Sequence, residues 1–290
     1  MLPAPFEYSA PETMDEALDL LDALGDESKV LAGGQSLIPL LKLRFASPAH
    51  LVDVNRVAEL DFLDEHDGVL RIGPLFRHKA AERSGMLASK YAVIAEAARQ
   101  VADPIVRNRG TVGGSLAHAD PAGDWGSVML ALDAEFVLRS KRGSRTIRAR
   151  DFFSGPFSSA LKSNELLVEI RVPAADGRKG GSYLKLERKV GDFATVAVAV
   201  HLQMDDGKVK SAGIGLTAVG PQNLKADRAE AALKGRALDD ATIKEAAALA
   251  AAAAEPKADN RGSVDYKRNV VRVFTERGLR RARERAQGGA

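Results

Sequence analysis

The order of apolar and polar residues divides the chain into three stretches with different predicted secondary structure. In the first, Thr13 and Glu16 have the spacing of a capping box and predict the start of a helix. The apolar stripe of this helix consists of Ala17, Leu18, Leu20, Leu21 and Leu24. After Gly25, which ends the helix, the pattern predicts a strand, a second helix and a second strand at residues 29–31, 37–43 and 50–54. These elements predict a small α/β lobe that ends near Asn55.

The second stretch is longer and mixes strands with helices. The pattern predicts strands at 69–72, 135–138 and 166–172, and helices at 91–101 and 124–132. Residues 107–110 predict a turn that precedes a glycine-rich segment. Residues 173–181 contain one proline, three glycines and charges of both signs, a composition typical of a linker. We therefore expect a second, larger lobe followed by a domain boundary.

The third stretch has strands first and helices afterwards. Residues 195–203 alternate β-branched and small side chains, 205–208 predict a hairpin turn, and 209–219 predict the returning strand. Three helices are predicted after them: 227–233, an alanine-rich segment at 239–254, and 264–285. This order is typical of an α+β domain.

Two Gly-Gly pairs with neighbouring hydroxyl residues stand where extended segments are predicted to end. They are Ala32-Gly33-Gly34-Gln35-Ser36 and Thr111-Val112-Gly113-Gly114-Ser115. Glycine reaches positive φ without strain and lets a ligand lie on the backbone. Successive free amides form a concavity that holds anions. We interpret the two segments together as a site for the diphosphate of a nucleotide cofactor, whereas a single pair such as Gly180-Gly181 predicts only a turn.

The composition restricts the chemistry. The chain has no cysteine, which excludes disulfides, thiolate catalysis and a cysteine-ligated iron–sulfur cluster within it. Its five histidines are scattered, so a metal site of the close-spaced kind is not expected. No nucleophile–base pair or carboxylate dyad stands out, and we predict no catalytic residue. Redox chemistry in this chain would need an organic cofactor.

The charge and the hydropathy bear on the binding partners and on the cellular location of the protein. The formal net charge is +3, and much of the basic excess lies in Arg277, Arg280, Arg281, Arg283 and Arg285. Because no aromatic series is interleaved with these arginines, a solvated or subunit-facing helix end is favoured over nucleic-acid binding. No apolar run approaches the ~18 residues of a membrane helix, and no secretory signal is visible. We expect a cytoplasmic protein, and the alternative is a location at the inner face of the membrane.

Three segments carry a family resemblance. Residues 30–37, 109–124 and 182–194 resemble signature segments of the FAD-binding medium subunits of molybdenum hydroxylases, the xanthine dehydrogenase family. The resemblance is strongest to the medium subunits of aerobic carbon monoxide dehydrogenases, and it extends to about Arg268. The departures from the family pattern leave the subgroup open: Gln35, Val112 and Ser115.

The resemblance implies the fold. It implies an α+β chain in which a two-lobed FAD-binding domain of the PCMH or vanillyl-alcohol-oxidase type precedes a C-terminal domain with a three-stranded antiparallel sheet and helices. The expected boundaries are 1–177 for the FAD-binding domain, with lobes at 1–55 and 56–177. A C-terminal α+β domain of the carbon monoxide dehydrogenase flavoprotein type is expected at 178–290.

The resemblance also implies which residues contact FAD. Both glycine segments are expected to hold the diphosphate, and Asp124 to accept hydrogen bonds from ribityl hydroxyls or a ring N–H. Lys185 would supply positive charge to a reduced flavin or a phosphate, with an exposed strand lysine as the alternative. Phe193 would lie near the isoalloxazine, with a core aromatic as the alternative. The full expected set is Ala32, Gly33, Gly34, Gln35, Ser36, Leu37, Val101, Thr111, Val112, Gly113, Gly114, Ser115, Asp120, Asp124, Leu167, Lys185 and Phe193.

The implied function is electron transfer within a complex. In the family, a large molybdopterin-binding subunit hydroxylates the substrate, and a small subunit with [2Fe-2S] clusters passes the electrons to FAD, which reduces quinone or NAD. A dimer of heterotrimers is the expected assembly. A carbon monoxide dehydrogenase-like complex is the first expectation, and a xanthine, aldehyde or N-heterocycle dehydrogenase is the alternative.

Two readings from other classes remain open at this point. The same fold occurs in stand-alone flavin reductases that act on cell-wall precursors, and a basic nucleic-acid-binding protein with incidental glycine turns is the third possibility. The substrate is left open, because the family places it on the molybdenum subunit.

Overall fold

The computed structural model describes residues 2–174 and 177–288, and its first lobe is a small parallel sheet with two helices. The strand order is β1-β3-β2, and both pairings are parallel. The elements are β1 (Glu7–Ser9), α1 (Met14–Leu24), β2 (Ser28–Leu31), α2 (Leu37–Leu43) and β3 (His50–Asp53). The two helices and β2 and β3 are confirmed, whereas the sequence pattern missed β1.

The first helix begins as its sequence predicts. The Thr13 side chain accepts a hydrogen bond from the Glu16 amide at 3.2 Å, which satisfies one free N–H of the first turn. The Glu16 carboxylate accepts from the amide of Glu12, one residue earlier than in the usual capping box. The apolar stripe of α1 then packs into a core of its own, together with residues of β3.

The second lobe is an antiparallel sheet covered by short helices. Its five strands have the order β4-β5-β10-β6-β7, and every pairing is antiparallel. The elements are β4 (Leu63–His66), β5 (Val69–Ile72), α3 (His78–Arg83), α4 (Gly85–Lys90), α5 (Ala92–Gln100), α6 (Pro104–Arg109), α7 (Val112–His118), α8 (Asp124–Ala131), β6 (Glu135–Ser140), β7 (Gly143–Arg148), α9 (Ala149–Phe152), β8 (Phe153–Gly155), β9 (Ser158–Ser159) and β10 (Leu166–Pro173).

Two predictions in this lobe are wrong. Residues 107–109 are predicted to form a turn, but they are the last residues of helix α6. This helix starts at Pro104, whose missing N–H costs nothing at the first helical position, and Asp103 caps it by accepting from the Val106 amide. The second glycine segment follows this helix and is itself the start of α7, so it does not end an extended segment.

The C-terminal part is a sheet between two layers of helices. Its elements are β11 (Arg178–Leu186), β12 (Val196–Asp205), β13 (Lys208–Thr217), β14 (Leu224–Lys225), α10 (Asp227–Leu233), α11 (Asp240–Ala253) and α12 (Val264–Ala286). The four strands pair in sequence order, and each pairing is antiparallel. The expected three-stranded sheet therefore has a short fourth strand, β14. Helices α5 and α8 cover one face, and α12 covers the other.

The alternation along β12 explains these two layers. The side chains of Val196, Val198 and Val200 belong to the core shared with α11 and α12. The intervening Ala197 and Ala199 belong to the core that contains α5 and α8. Successive residues of a strand point to opposite faces, so the large residues face one helical layer and the small residues face the other.

The predicted linker at 173–181 overlaps the ends of two strands. Pro173 ends β10 and Arg178 begins β11, and part of the predicted linker, residues 175–176, lies outside the described residues. Gly180 and Gly181 are paired strand residues of β11 and form no turn. A Cβ atom at Gly180 would lie 1.8 Å from the carbonyl oxygen of Ala282, so this glycine lets α12 cross close to the strand.

Within the described ranges, no helix is long and apolar enough to span a membrane.

A glycine in β13 tests the contact between α8 and the sheet. A Cβ atom at Gly215 would lie 1.9 Å from the Ser127 carbonyl oxygen, which belongs to the helix backbone and cannot rotate away. We expect Gly215→Ala to lower the free energy of unfolding by about 2 kcal/mol or more, measured by urea titration. The control is Gly85→Ala in α4, where an added Cβ meets nothing within 4 Å. Equal stability of the two variants would contradict this packing.

Candidate functional site

The two glycine segments meet in space. A Cβ atom at Gly33 would lie 2.5 Å from the Arg109 carbonyl oxygen and 2.7 Å from the Gly110 Cα. A Cβ atom at Gly114 would lie 3.7 Å from that of Ala32. The backbones of the two lobes therefore approach each other so closely that a side chain at Gly33 is excluded.

The first segment presents free amides. Among the hydrogen bonds of residues 2–174 and 177–288, none has the N–H of Gly33, Gly34, Gln35, Ser36 or Leu37 as its donor. Gly34 has φ of 73°, and the Gln35 side chain donates to the Gly33 carbonyl at 2.9 Å and closes the turn. Because unpaired amides need an acceptor, this segment suits an anionic group such as a diphosphate.

The second segment is different. Thr111 caps α7 by accepting a hydrogen bond from Gly114, while Val112 and Gly113 donate to the carbonyls of Phe76 and Pro74 at 3.0 Å each. The expectation of a second run of free amides is therefore wrong, because the amides of residues 112–114 already donate to the helix cap and to the carbonyls of Phe76 and Pro74. Ser115 belongs to the same helix, and its hydroxyl would lie 3.8 Å from a Cβ at Gly123.

An arginine that sequence reasoning missed connects the two segments. Asn55 donates to the Ala32 carbonyl at 2.8 Å and accepts from Arg77 at 2.6 Å. Arg77 also donates to the Arg109 carbonyl. Burial lowers the pKa of Arg77, and the nearby Arg109 guanidinium lowers it further. A cation thus stands beside two segments that themselves contain no Lys or Arg.

Asp124 and Lys185 form a buried ion pair. The Lys185 side chain is only 1% exposed, and its ammonium donates to the Asp124 carboxylate at 3.2 Å and to the Gln100 carbonyl at 2.8 Å. Glu187 lies 3.6 Å from the same ammonium, and one of its oxygens is buried without a hydrogen-bond partner in the described part of the chain. The alternative reading of Lys185 as an exposed strand lysine is excluded.

Tyr183 completes this cluster, which we call the Asp124 cluster (Asp124, Tyr183, Lys185 and Glu187). The phenol donates to the other Asp124 oxygen at 2.6 Å. Burial raises the pKa of Asp124, an effect that Lys185 and Tyr183 oppose by stabilising the carboxylate. Burial and the Asp124 charge raise the pKa of Tyr183. Tyr183 and Lys185 lie two residues apart on one strand, and this period was the signal that could have identified the tyrosine.

One further expected residue, Val101, lies beside the cluster, and another, Phe193, lies on the loop that follows β11. Val101 ends α5, directly after Gln100, and its carbonyl accepts a hydrogen bond from Arg107 at 3.0 Å. The next residue, Ala102, has φ of 44° and packs against Gly191 of the loop that carries Phe193. Phe193 is 53% exposed, which excludes the alternative of a core aromatic.

The remaining two expected residues have structural contacts. The Asp120 carboxylate accepts from the Ala122 amide at 2.8 Å and shapes the turn before α8. Leu167 is buried at an irregularity in β10, where the register with β6 shifts and the regular ladder is interrupted. Its side chain packs in the core that also contains Leu116 of α7.

The structure thus brings most of the expected residues into two neighbouring groups. The first is the pair of glycine segments, and the second is the Asp124 cluster with the end of α5. Phe193 stands apart on an exposed loop. The described residues contain no group of three or more His, Cys, Asp or Glu that could hold a metal ion.

Two protein families match the chain. The FAD binding domain in molybdopterin dehydrogenase matches residues 4–175, and the CO dehydrogenase flavoprotein C-terminal domain matches residues 181–282. The first match covers both glycine segments and Asp124, and the second covers Tyr183, Lys185 and Phe193.

Similar proteins match over nearly their whole length. The carbon monoxide dehydrogenase medium chain of Hydrogenophaga pseudoflava is 41% identical, covering 97% of this chain and 98% of that protein. The glyceraldehyde dehydrogenase medium chain of Sulfolobus acidocaldarius is 37% identical, covering 95% and 97%. The structure resembles that of the H. pseudoflava carbon monoxide dehydrogenase with a TM-score of 0.95 and 44% identity, covering 98% of this chain and 99% of that one.

The buried ion pair predicts a pH-dependent loss of stability in Lys185→Met. Removing the ammonium leaves Asp124 buried with its charge uncompensated, and we expect the free energy of unfolding to fall by about 3 kcal/mol. The Asp124 pKa, already raised above 3.8 in the folded state, would rise further. Because the folded variant then binds a proton that the unfolded chain has released, its stability should fall as pH rises above about 4.

The matched control is Lys141→Met. Lys141 pairs with Asp19 at 2.8 Å, but both side chains are more than half exposed. We expect no measurable change in stability from this substitution, because exposed ion pairs contribute little. Urea titrations of both variants across a pH series measure the difference. A pH-independent loss in Lys185→Met would contradict the interpretation.

Proposed function

Because the chain belongs to the family of FAD-binding medium subunits of molybdopterin dehydrogenases, we propose that it relays electrons from iron–sulfur clusters on a partner subunit to an external acceptor. Members of this family are flavoprotein subunits of oxidoreductases, and FAD is their cofactor. When bound, FAD would supply the capacity for both one-electron and two-electron redox chemistry. The protein's own contribution is to bind the cofactor, orient it and set the charge around it.

The observation that carries the proposal is the run of free amides at residues 33–37. They lie against the second lobe at the contact of Gly33 with Arg109 and Gly110, and the Arg77 guanidinium stands beside the junction. A diphosphate held here would satisfy the amides, and its negative charge would be balanced by the arginine. In this proposal α7 forms the opposite wall.

The Asp124 cluster is proposed to orient the flavin part. Each Asp124 oxygen accepts one hydrogen bond within the chain, which leaves further lone pairs for a ring N–H or a ribityl hydroxyl. Lys185 donates to two oxygens and lies 3.6 Å from a third, so its position is fixed. Val101, Asp120, Leu167 and Phe193 remain proposed contacts.

The absence of cysteine supports a division of labour between subunits. A chain without thiolates cannot ligate ordinary [2Fe-2S] clusters, so the clusters are assigned to a small partner and the molybdenum cofactor to a large one. We propose a cytoplasmic complex, a dimer of heterotrimers that reduces quinone or NAD. The family matches support a boundary between an FAD-binding domain at 1–177 and a C-terminal domain at 178–290.

The relatives favour a carbon monoxide dehydrogenase-like complex. The similarity to a glyceraldehyde dehydrogenase medium chain keeps xanthine, aldehyde and N-heterocycle dehydrogenases as the alternative. The adjacent reading frames distinguish them, because the large subunit determines the substrate. A stand-alone flavin reductase would instead need a substrate site within this chain.

Flavin content is the direct test. The chain, purified alone and after co-expression with its neighbouring reading frames, should carry one FAD per polypeptide, measured from the visible absorbance band and from the released cofactor. A colourless protein under both conditions would overturn the proposal.

A charge placed in the first glycine segment tests the site. Ser36 precedes α2, is only half-buried, and its side chain makes no capping hydrogen bond within the described part of the chain, so neither Asp nor Asn at this position should disturb the fold. We expect Ser36→Asp to bind FAD at least tenfold more weakly, because its carboxylate repels the diphosphate. Ser36→Asn, the neutral control of the same size, should bind within a few-fold of the unmodified chain. Both are measured by fluorescence titration of FAD into stripped protein, and equal affinities would remove the diphosphate from this segment.

A further inference from the structure

We propose that Tyr183 is a positioning residue that fixes the orientation and the charge of Asp124 toward the flavin. The inference rests on the proposed function, because it takes Asp124 as a group that faces the cofactor. Tyr183 itself would act only through Asp124. Its side chain is completely buried, and its hydroxyl donates the 2.6 Å hydrogen bond to the carboxylate.

The position of Tyr183 is fixed from both ends. Its amide donates to Glu96 of α5 at 2.8 Å, and its carbonyl accepts from the Gln100 side chain at 3.1 Å. Glu96 is in turn held by Arg285 of α12 at 2.6 Å. The strand segment that carries the phenol is therefore attached to α5, and α5 is tied to the C-terminal helix.

The phenol belongs to a network of hydroxyls that returns to the turn before Asp124. The hydroxyls of Ser127 and Thr217 face the Tyr183 hydroxyl and are 2.6 Å apart. The Asn223 side chain donates to Thr217 at 3.2 Å and to the Gly123 carbonyl at 3.3 Å. A carboxylate with donors on both oxygens and a fixed preceding turn cannot rotate freely.

The charges around Asp124 explain why the Tyr183 phenol is needed to keep this carboxylate ionised. Lys185 and Glu187 face Asp124 from β11, and Glu96 faces the backbone of the same strand from α5. Lys225 of β14 bonds to the opposite end of α8, at the Leu130 carbonyl. One ammonium thus serves two nearby carboxylates. Without the phenol, Asp124 keeps only Lys185 as a donor, so a proton binds it more readily.

The test is the reduction potential of bound FAD in Tyr183→Phe. This change removes one oxygen and keeps the ring. We expect FAD content to be unchanged and the potential near neutral pH to be more positive than in the unmodified protein. The reason is that a protonated Asp124 no longer opposes the negative charge of reduced flavin. The difference should shrink as pH rises, because both proteins then hold Asp124 ionised.

Two controls separate positioning from packing. Tyr91→Phe also removes a buried phenol oxygen, but that hydroxyl has no hydrogen-bond partner among the described residues. We expect this variant to leave the potential unchanged at every pH. Asp124→Asn should raise the potential of bound FAD. The double variant Asp124→Asn/Tyr183→Phe should then show the same pH dependence of the potential as Asp124→Asn alone.

The outcomes distinguish the two levels of the argument. If Asp124→Asn shifts the potential and Tyr183→Phe does not, or shifts it equally at all pH values, the positioning role is wrong and the proposed site stands. If Asp124→Asn leaves the potential unchanged, Asp124 does not face the flavin, and both ideas about it are wrong. Loss of FAD together with loss of circular dichroism in Tyr183→Phe would assign the residue a structural role and overturn the inference.

Discussion

The contact between the backbones at Gly33 and at Arg109 and Gly110 is the constraint on which the site depends. It has room for a hydrogen atom and for nothing larger, so the two lobes reach this distance only with glycine at position 33. The approach places the free amides of the first segment next to the second lobe. It also brings the Arg109 carbonyl within reach of Arg77, which is attached to the first lobe through Asn55.

The second constraint is the crossing of α8 over the C-terminal sheet. Gly213 and Gly215 of β13 remove side chains from the strand where the helix backbone passes. Helix α8 begins at Asp124, and strand β11 of the same sheet carries Tyr183 and Lys185. A helix of the FAD-binding part and a strand of the C-terminal part therefore share one polar cluster. Neither part contains the whole cluster by itself.

Local signals predicted the elements well. The bounds of α2 and α10 agree with the expected helices, because apolar periodicity acts within one element. The α6 helix was missed although Asp103 and Pro104 carry its start signals. Arg77 and Asn55 could not be assigned a role from local sequence, since each acts through residues more than 20 positions away. The family resemblance supplied Asp124 and Lys185, and only the fold showed that they form an ion pair.

The buried cluster is compatible with the proposal that one kind of chain serves different oxidoreductases. Its polar groups donate and accept within the chain, and none of them is arranged as a nucleophile with a base. In the proposed function, the task of this chain is to hold one cofactor in a fixed electrostatic environment, and that task does not depend on the compound that a partner subunit oxidises. Medium chains named for carbon monoxide and for glyceraldehyde dehydrogenases resemble this chain over almost their full lengths. In the proposed function, a cofactor site built from backbone amides and buried charges needs no contact with the oxidised compound, which agrees with that similarity.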